Sequence, residues 1–169
     1  ASRMYTVLIV DDVAAMAEQY AYDLRRLASV DARVASSGDE ALLACAEVER
    51  ASAVQAATLL RKAGFACPVV SVGSTPTAHF AESLDGVTEV RAGVFVFFDL
   101  VMAGIGVCEI DDIALSVLGT VIGHQPEKGW ILVDAGWMAM SRDRGTAKQK
   151  IDQGYGLVCD IEGRPVGDL

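Results

Sequence analysis

The sequence has few basic residues, few aromatic residues and almost no histidine. Its 169 residues include 14 Lys and Arg against 23 Asp and Glu, which gives a formal net charge of -9 at pH 7. A surface of this sign repels nucleic acid, because nucleic-acid binding needs a basic face that neutralises phosphates. The stretch 141–150, which holds several Lys and Arg, is mixed in sign. We therefore expect no nucleic-acid partner.

The sequence also lacks an apolar run long enough to span a bilayer. The longest run, 93–108, is interrupted by Asp99, whereas a spanning helix needs about 20 consecutive apolar residues. No secretory pattern precedes the first predicted strand. We expect a cytoplasmic protein that has no membrane partner.

Cysteines are scarce and widely separated. They are Cys45, Cys67, Cys108 and Cys159. No pair has CxxC spacing and neither histidine lies near a cysteine, which argues against a zinc site. In an acidic chain without a leader we expect reduced, mostly buried thiols.

Apolar residues make up 52% of the chain, and their spacing predicts an α/β fold. The first part reads as alternating strands and helices, which favours a parallel sheet. We predict strands at 5–12, 31–38, 67–72 and 89–99, and helices at 13–28 and 39–64. Ser37 or Asp39 can cap the second helix, and Gly64 can end it.

The pattern changes after residue 112 to that of a small antiparallel β module. Residues 113–136 predict a hairpin with a Pro/Gly turn, and 154–169 predict a short strand with a turn at Glu162–Gly163. The fold class is therefore α/β, with parallel βα units of partial TIM-barrel or flavodoxin-like type followed by this module. We predict segments at 1–46, 47–112 and 113–169.

Two adjacent acids, Asp11 and Asp12, follow the first strand. Ligands bind at the carboxyl ends of strands in open parallel sheets, and two carboxylates there would suit Mg²⁺. The alternative is a pair of solvated acids, one of which caps the next helix. Both interpretations are open at this point.

A hydroxyl-rich turn, VGSTPT at 72–77, follows an apolar strand. The backbone N–H groups of Gly73, Ser74 and Thr75, with the Ser and Thr hydroxyls, could bind a phosphate. No Gly-Lys-Thr/Ser follows, so the turn is not a Walker motif. The alternative is a plain strand-to-loop turn, because these residue types favour turns.

Residues 5–44 resemble the first half of a response-regulator receiver domain, through VLIVDD (7–12) and VASSGDEALL (34–43). Receivers have a third strand that ends in a phospho-accepting aspartate soon after the second helix. Here the helix continues in its place, and the lysine that follows the fifth strand has no clear counterpart. We therefore do not expect phosphotransfer.

Residues 47–169 resemble the C-terminal half of the fold-type III, alanine-racemase-like pyridoxal-phosphate (PLP) enzymes. The resemblance is to the branch of D-threonine aldolase, D-serine dehydratase and 3-hydroxyaspartate aldolase. The stretches that carry it occur in family order: CPVVSVGSTPT, EVRAGVFVFFD, DIALSVLGTVIG, VDAGWMAMSRDRGT and GYGLVCDIEGRP. It implies a (β/α)₈ barrel followed by a β-rich domain, PLP as the cofactor, and lyase activity on D-3-hydroxy amino acids.

The same resemblance implies positions for the cofactor phosphate and for a dimer contact. The implied cofactor-binding residues are Gly73, Ser74, Thr75, Thr77, Arg91 and Gly93. The positions that approach the partner's active site in the family dimer are Asp134, Trp137, Ser141 and Asp143. The implied partners are thus a small-molecule substrate or phosphate anion and a second copy of the chain.

Two parts of the family's chemistry have no counterpart in the sequence. The Schiff-base lysine of the family follows the first barrel strand, and no lysine here has that context; the four are Lys62, Lys128, Lys148 and Lys150. The family's metal-binding His and Cys are expected beyond residue 169, and His79 and His124 do not replace them. Without the lysine there is no covalent electron sink, so we expect at most weak phosphate binding and no catalysis.

The two resemblances meet inside the second predicted helix, near residues 44–48. One interpretation is a natural or engineered hybrid of a receiver-like and a barrel-derived segment. The other is that residues 1–46 belong to the same enzyme family. The sequence therefore predicts a relative of PLP-dependent lyases, with a receiver-like signalling module or a non-catalytic scaffold as alternatives.

Overall fold

The first strand and helix form where the apolar pattern predicts them. In the computed structural model, which describes residues 5–28 and 30–166, strand β1 spans Thr6–Val10 and helix α1 spans Ala14–Ala28. Strand β2, Asp31–Ala35, pairs with β1 in parallel. Helix α1 packs on β2 and buries Ala17 and Ala21. This is a βαβ unit, since parallel neighbours require a crossover between them.

Helix α2 spans Gly38–Lys62, and local signals set both of its ends. The Ser37 Oγ accepts the Glu40 N–H at 3.2 Å, so Ser37 rather than Asp39 is the N-cap. Gly64 has a φ of +87°, and the Phe65 N–H donates to the Leu60 carbonyl at 3.0 Å. A left-handed glycine followed by this hydrogen bond is the usual helix stop. The predicted cap and stop are confirmed.

The next two strands are much shorter than predicted. Strand β3 is Ser71–Val72 and strand β4 is Glu89–Val90, and they pair in parallel. Helix α3, Thr75–Phe80, lies between them and was not predicted. The predicted strands at 67–72 and 89–99 are therefore wrong in extent. Each of these strands pairs only with the other among the described residues, so nothing extends the ladder.

The apolar run after β4 bends instead of continuing as a strand. It forms a 3-10 turn at Val94–Val96, and helix α4 follows at Leu100–Gly104. The Asp99 carboxylate accepts the Met102 N–H at 2.9 Å and thereby caps α4. The acid that interrupts the longest apolar run is thus a helix start.

The predicted hairpin is present in a shorter form. Strands β5, Val121–Gln125, and β6, Trp130–Val133, are antiparallel. A 3-10 turn at Pro126–Lys128 joins them and ends at Gly129, which has a φ of +66°. The type of element is confirmed, whereas the strands occupy less of 113–136 than predicted.

The predicted turn at Glu162–Gly163 is also present. Gly163 has a φ of +81°, and Cys159 and Pro165 form an antiparallel bridge around the turn. The expectation about residues after 166 falls outside the described part of the chain. With parallel βα units followed by a small antiparallel element, the α/β class is confirmed.

The chain divides into two compact units, Ala1–Phe95 and Val96–Leu169. In the described part of both units the buried apolar residues are mostly small. They are Ala17, Ala21, Ala32, Ala35, Ala46, Ala57, Val70, Val72, Met102 and Val107. Many larger apolar side chains are exposed, and every residue of β6 is at least 40% exposed. The predicted division at residues 46 and 112 stays a prediction.

The cysteines are less buried than predicted. All four are free thiols, of which Cys45 and Cys159 are exposed and the other two are half-buried. The reason is the small size of the buried core, which leaves few sites for a side chain larger than alanine. The prediction of mostly buried thiols is therefore wrong. No helix in the described ranges is long and apolar enough to cross a membrane.

The N-cap of α2 gives the first testable prediction. Replacing Ser37 by Ala should lower the free energy of unfolding by about 1 kcal/mol, because the Glu40 N–H loses its acceptor. Ser52→Ala is the matched control, since Ser52 is exposed in the same helix and alanine favours helix there. Urea denaturation followed by circular dichroism measures both variants. Equal stability of the two variants would contradict this role for Ser37.

Candidate functional site

The hydroxyl-rich turn is the start of α3. Ser74 is the N-cap, and its Oγ accepts the Thr77 N–H at 3.3 Å. The Thr77 Oγ1 in return accepts the Ser74 N–H at 3.3 Å, which completes a capping box. Pro76 lies in the first turn, where its missing N–H costs nothing. The sequence therefore encodes a strand, a tight turn and a helix start within nine residues, 69–77.

Gly73 lies directly against the backbone of the neighbouring strand. Its φ is +155°, and a Cβ on this residue would lie 2.6 Å from both the carbonyl carbon and the amide nitrogen of Arg91. The Arg91 N–H donates to the Val72 carbonyl at 2.8 Å, which fixes this approach. Only glycine fits without a backbone shift. The two segments that the resemblance assigns to the phosphate are thus adjacent.

Thr75 connects the turn to the segment that follows β4. Its side chain is buried, and its Oγ1 accepts the Phe95 N–H at 3.1 Å. The Arg91 side chain, in contrast, is exposed and lies 3.5 Å from the Glu89 carboxylate. A Cβ on Gly93 would meet no atom within 4 Å, so that backbone is open. The turn therefore meets the segment after β4 through the Gly73–Arg91 backbone approach and the Thr75 hydroxyl, whereas the Arg91 guanidinium does not join the turn.

An acid from α2 binds the turn and was not foreseen from the sequence. The Gly73 N–H donates to the Glu49 Oε1 at 3.0 Å, and the Thr77 hydroxyl donates to the Glu49 Oε2 at 2.7 Å. Glu49 lies 24 and 28 residues from its two donors, so no local pattern could reveal the contact. One carboxylate thus takes two of the donors that the sequence predicts for a phosphate.

The residues in this arrangement do not fit PLP. Its phosphate needs free donors, whereas those of Gly73 and Thr77 are engaged by Glu49. Its aldehyde needs an amine, yet no lysine in the described chain lies in or directly after a parallel strand. Lys62 ends α2, and Lys128 stacks over the Trp130 ring at 4.7 Å. A covalent cofactor therefore has no attachment point in these residues.

Of the acidic pair after β1, Asp11 makes a local turn contact. The Asp11 Oδ1 accepts the Val13 N–H at 2.8 Å just before α1 begins. No group of three or more His, Cys, Asp or Glu side chains in the described ranges could hold a metal ion. The Mg²⁺ site predicted at Asp11 and Asp12 is therefore not supported. The Asp11 contact is an Asx turn ahead of Ala14, the first residue of α1, so the alternative in which one acid caps the helix stays a prediction.

The residues implied for a dimer contact lie in the second unit, where they have local partners. The Asp134 Oδ1 accepts the Thr120 N–H at 2.7 Å, and the Ser141 Oγ accepts the Asp143 N–H at 3.1 Å. The exposed Trp137 ring lies 4.4 Å from the Arg142 guanidinium. Their approach to a partner's active site stays a prediction.

Two other polar groups in the second unit are structural. Backbone donation from Gly154 lowers the pKa of Asp152, which also receives hydrogen bonds from Arg144 and Thr146. Burial raises the pKa of the Cys108 thiol, and the nearby carboxylates add to that effect. A thiol held protonated is a poor nucleophile. Neither group is arranged as a catalytic centre.

Comparison with known proteins relates the chain to dehydratases. Residues 114–167 match a family described as a putative serine dehydratase domain. The chain is 74% identical over 125 residues to the D-threo-3-hydroxyaspartate dehydratase of Delftia sp. strain HT23, across 74% of this chain and 33% of that protein. It is 35% identical over 106 residues to the D-serine dehydratase of Dictyostelium discoideum, across 59% of this chain and 27% of that protein.

Solved structures give the same relationship. The D-threo-3-hydroxyaspartate dehydratase from Delftia sp. HT23 matches with a TM-score of 0.71 and 57% identity, over 95% of this chain and 48% of that one. An alanine-racemase-like protein from Idiomarina loihiensis matches with a TM-score of 0.71 and 43% identity, over 92% of this chain and 43% of that one. The chain thus spans a quarter to a third of its curated relatives and about half of these structures.

The extent of the structural match bears on the first 46 residues. A match over 95% of the chain must include most of the segment 5–44, so its βα arrangement also occurs in the dehydratase. This favours the interpretation that residues 1–46 share the enzyme fold. The receiver resemblance and the hybrid gain no support from these comparisons and stay predictions. The chain is similar, in sequence and in fold, to part of the alanine-racemase-like D-serine and D-threo-3-hydroxyaspartate dehydratases.

The close approach at Gly73 gives the second prediction. Gly73→Ala should lower the free energy of unfolding by roughly 2–3 kcal/mol, because the new Cβ overlaps the Arg91 backbone. Gly38→Ala is the matched control, since a Cβ there meets nothing within 4 Å. Chemical denaturation of both variants measures the difference. A Gly73→Ala variant as stable as the control would show that the backbones are not in contact.

Proposed function

We propose that the chain is part of a PLP-dependent lyase of the D-serine dehydratase type, and that alone it is not catalytic. Its contribution is the turn at 73–77 with the adjacent Arg91–Phe95 segment, together with part of the β-rich domain. The observation that carries the proposal is the approach of Arg91 to Gly73. It places side by side the two segments to which the resemblance assigns a phosphate.

The substrate class in this proposal is that of D-3-hydroxy amino acids. The relatives are named for D-threo-3-hydroxyaspartate and for D-serine, and both compounds carry a hydroxyl on the carbon next to Cα. A dehydratase removes that hydroxyl together with the Cα proton. The identity of 74% over 125 residues supports the same class for the complete protein.

We propose that the chain alone is inactive because it lacks a suitably placed lysine. Forming an aldimine requires a lysine amine that reaches the cofactor aldehyde. Lys62 lies in the last turn of α2, and Lys128 lies in the hairpin turn of the second unit. What remains at the turn is hydrogen bonding to an anion, and Glu49 competes for two of the donors.

A homodimer is part of the same proposal. The family resemblance implies that residues near 134–143 approach the partner subunit of a dimer. The exposed apolar side chains of β6 and the exposed Trp137 are available for such an interface. Interface centres are rich in aromatic and apolar side chains, which these residues would supply.

The third prediction concerns turnover. We expect no ammonia release above background when the chain is supplied with PLP and either D-threo-3-hydroxyaspartate or D-serine. The background is the same mixture of PLP and amino acid without the protein. Borohydride reduction followed by peptide mass spectrometry should label no single lysine in preference to the other three. The Delftia dehydratase, assayed in parallel, is the positive control. Turnover above background, or selective labelling of one lysine, would contradict the proposal that the chain alone is inactive.

A further inference from the structure

We infer that Glu49 is an internal anion that occupies the phosphate turn, so that an external phosphate binds there only after this side chain leaves. The inference rests on the proposed function, which assigns a phosphate to residues 73–77. It concerns a contact that blocks the site, made by a residue 24 positions before the turn.

The hydrogen bonds to Glu49 and within the turn engage three of the turn's donors. A backbone N–H and a hydroxyl each carry one hydrogen. The Gly73 N–H donates its hydrogen to the Glu49 Oε1, and the Thr77 hydroxyl donates its hydrogen to the Glu49 Oε2. The Ser74 N–H donates to the Thr77 Oγ1. A phosphate at the same place would find these three donors already engaged.

The charge of Glu49 is not neutralised by the arginine beside it. The guanidinium of Arg50 binds both carboxylate oxygens of Glu47, at 2.6 and 2.9 Å, and the Asp85 carbonyl at 2.8 Å. The Arg50 guanidinium is therefore hydrogen-bonded to Glu47 and Asp85 rather than to Glu49. Glu49 forms no ion pair within the described part of the chain. A phosphate that approached the turn would therefore meet a carboxylate of the same charge sign, and like charges repel.

The side chain can leave without a change in the backbone. Glu49 projects from the middle of a 25-residue helix that is capped at both ends. It is only half-buried, so a rotamer change at its own side-chain bonds can move the carboxylate into water. Release of the turn is then a local side-chain event, while the Gly73–Arg91 approach stays as it is.

The test measures phosphate binding in Glu49→Gln and Glu49→Ala. Inorganic phosphate is titrated into the full chain, and the amide resonance of Gly73 is followed by NMR. The Gln variant keeps the size of the side chain and removes its charge, so we expect phosphate to bind about tenfold more tightly than to the unaltered chain. Glu18→Gln is the matched control, because it makes the same charge change at an exposed position on α1 and should leave binding unchanged.

A second measurement tests the contact without phosphate. In the free protein the Gly73 amide should exchange its hydrogen faster in Glu49→Ala than in the unaltered chain, because its acceptor is gone. The titration is then repeated with pyridoxal phosphate, which carries the phosphate that the proposed function names. Its binding is measured by its absorbance. The same order of affinities is expected.

The outcomes separate the inference from the proposed function. If phosphate binds at the turn equally well with and without Glu49, the inference is wrong and the proposed site stands. If both Glu49 variants bind more weakly than the unaltered chain, Glu49 supports the turn and the inference is wrong. If no variant shifts Gly73 with phosphate, the proposed phosphate site itself is wrong. Unchanged Gly73 exchange in Glu49→Ala would also overturn the inference.

Discussion

The contact between the Gly73 and Arg91 backbones is the constraint on which the first unit's site depends. It holds the end of β3 against the end of β4, and Ser71 pairs with Glu89 on the same register. Thr75 can then reach the Phe95 amide, and α3 can begin where Glu49 meets it. A side chain at residue 73 would push the Arg91 backbone away and so disturb this arrangement. Two very short strands are thus enough to organise the turn, because a single glycine lets them approach.

Much of the fold follows from local sequence signals. The parts that do not follow from such signals have one physical cause in common. The ends of α2 were predictable because a serine cap and a glycine stop act on backbone groups within a few residues. The apolar run at 93–98 was misjudged because a strand exists only where another strand pairs with it. Asp99 marked an interruption in that run, yet its role as the α4 cap depends on the backbone having already turned.

The candidate site, too, could be predicted from the sequence only in part. The residue types of the turn predicted a tight strand-to-helix connection with several donors, and the structure contains it. Which acceptor those donors meet could not be predicted, since Glu49 comes from a distant position on a helix with no motif around it. The receiver-like reading of residues 5–44 relied on a βα unit, which many parallel folds contain. Likeness in such a unit carries little information about chemistry.

The β5–β6 hairpin has a consequence for how its residues tolerate change. In a buried sheet, side chains that alternate along a strand face different surroundings, and replacing an inward one opens a cavity. In β6 the adjacent residues Ile131 and Leu132 are both at least 40% exposed, so neither faces a filled interior. Polar replacements there should cost this chain little stability. The apolar side chains of β6 therefore contribute little to packing within the hairpin, and they leave an apolar face available to another surface.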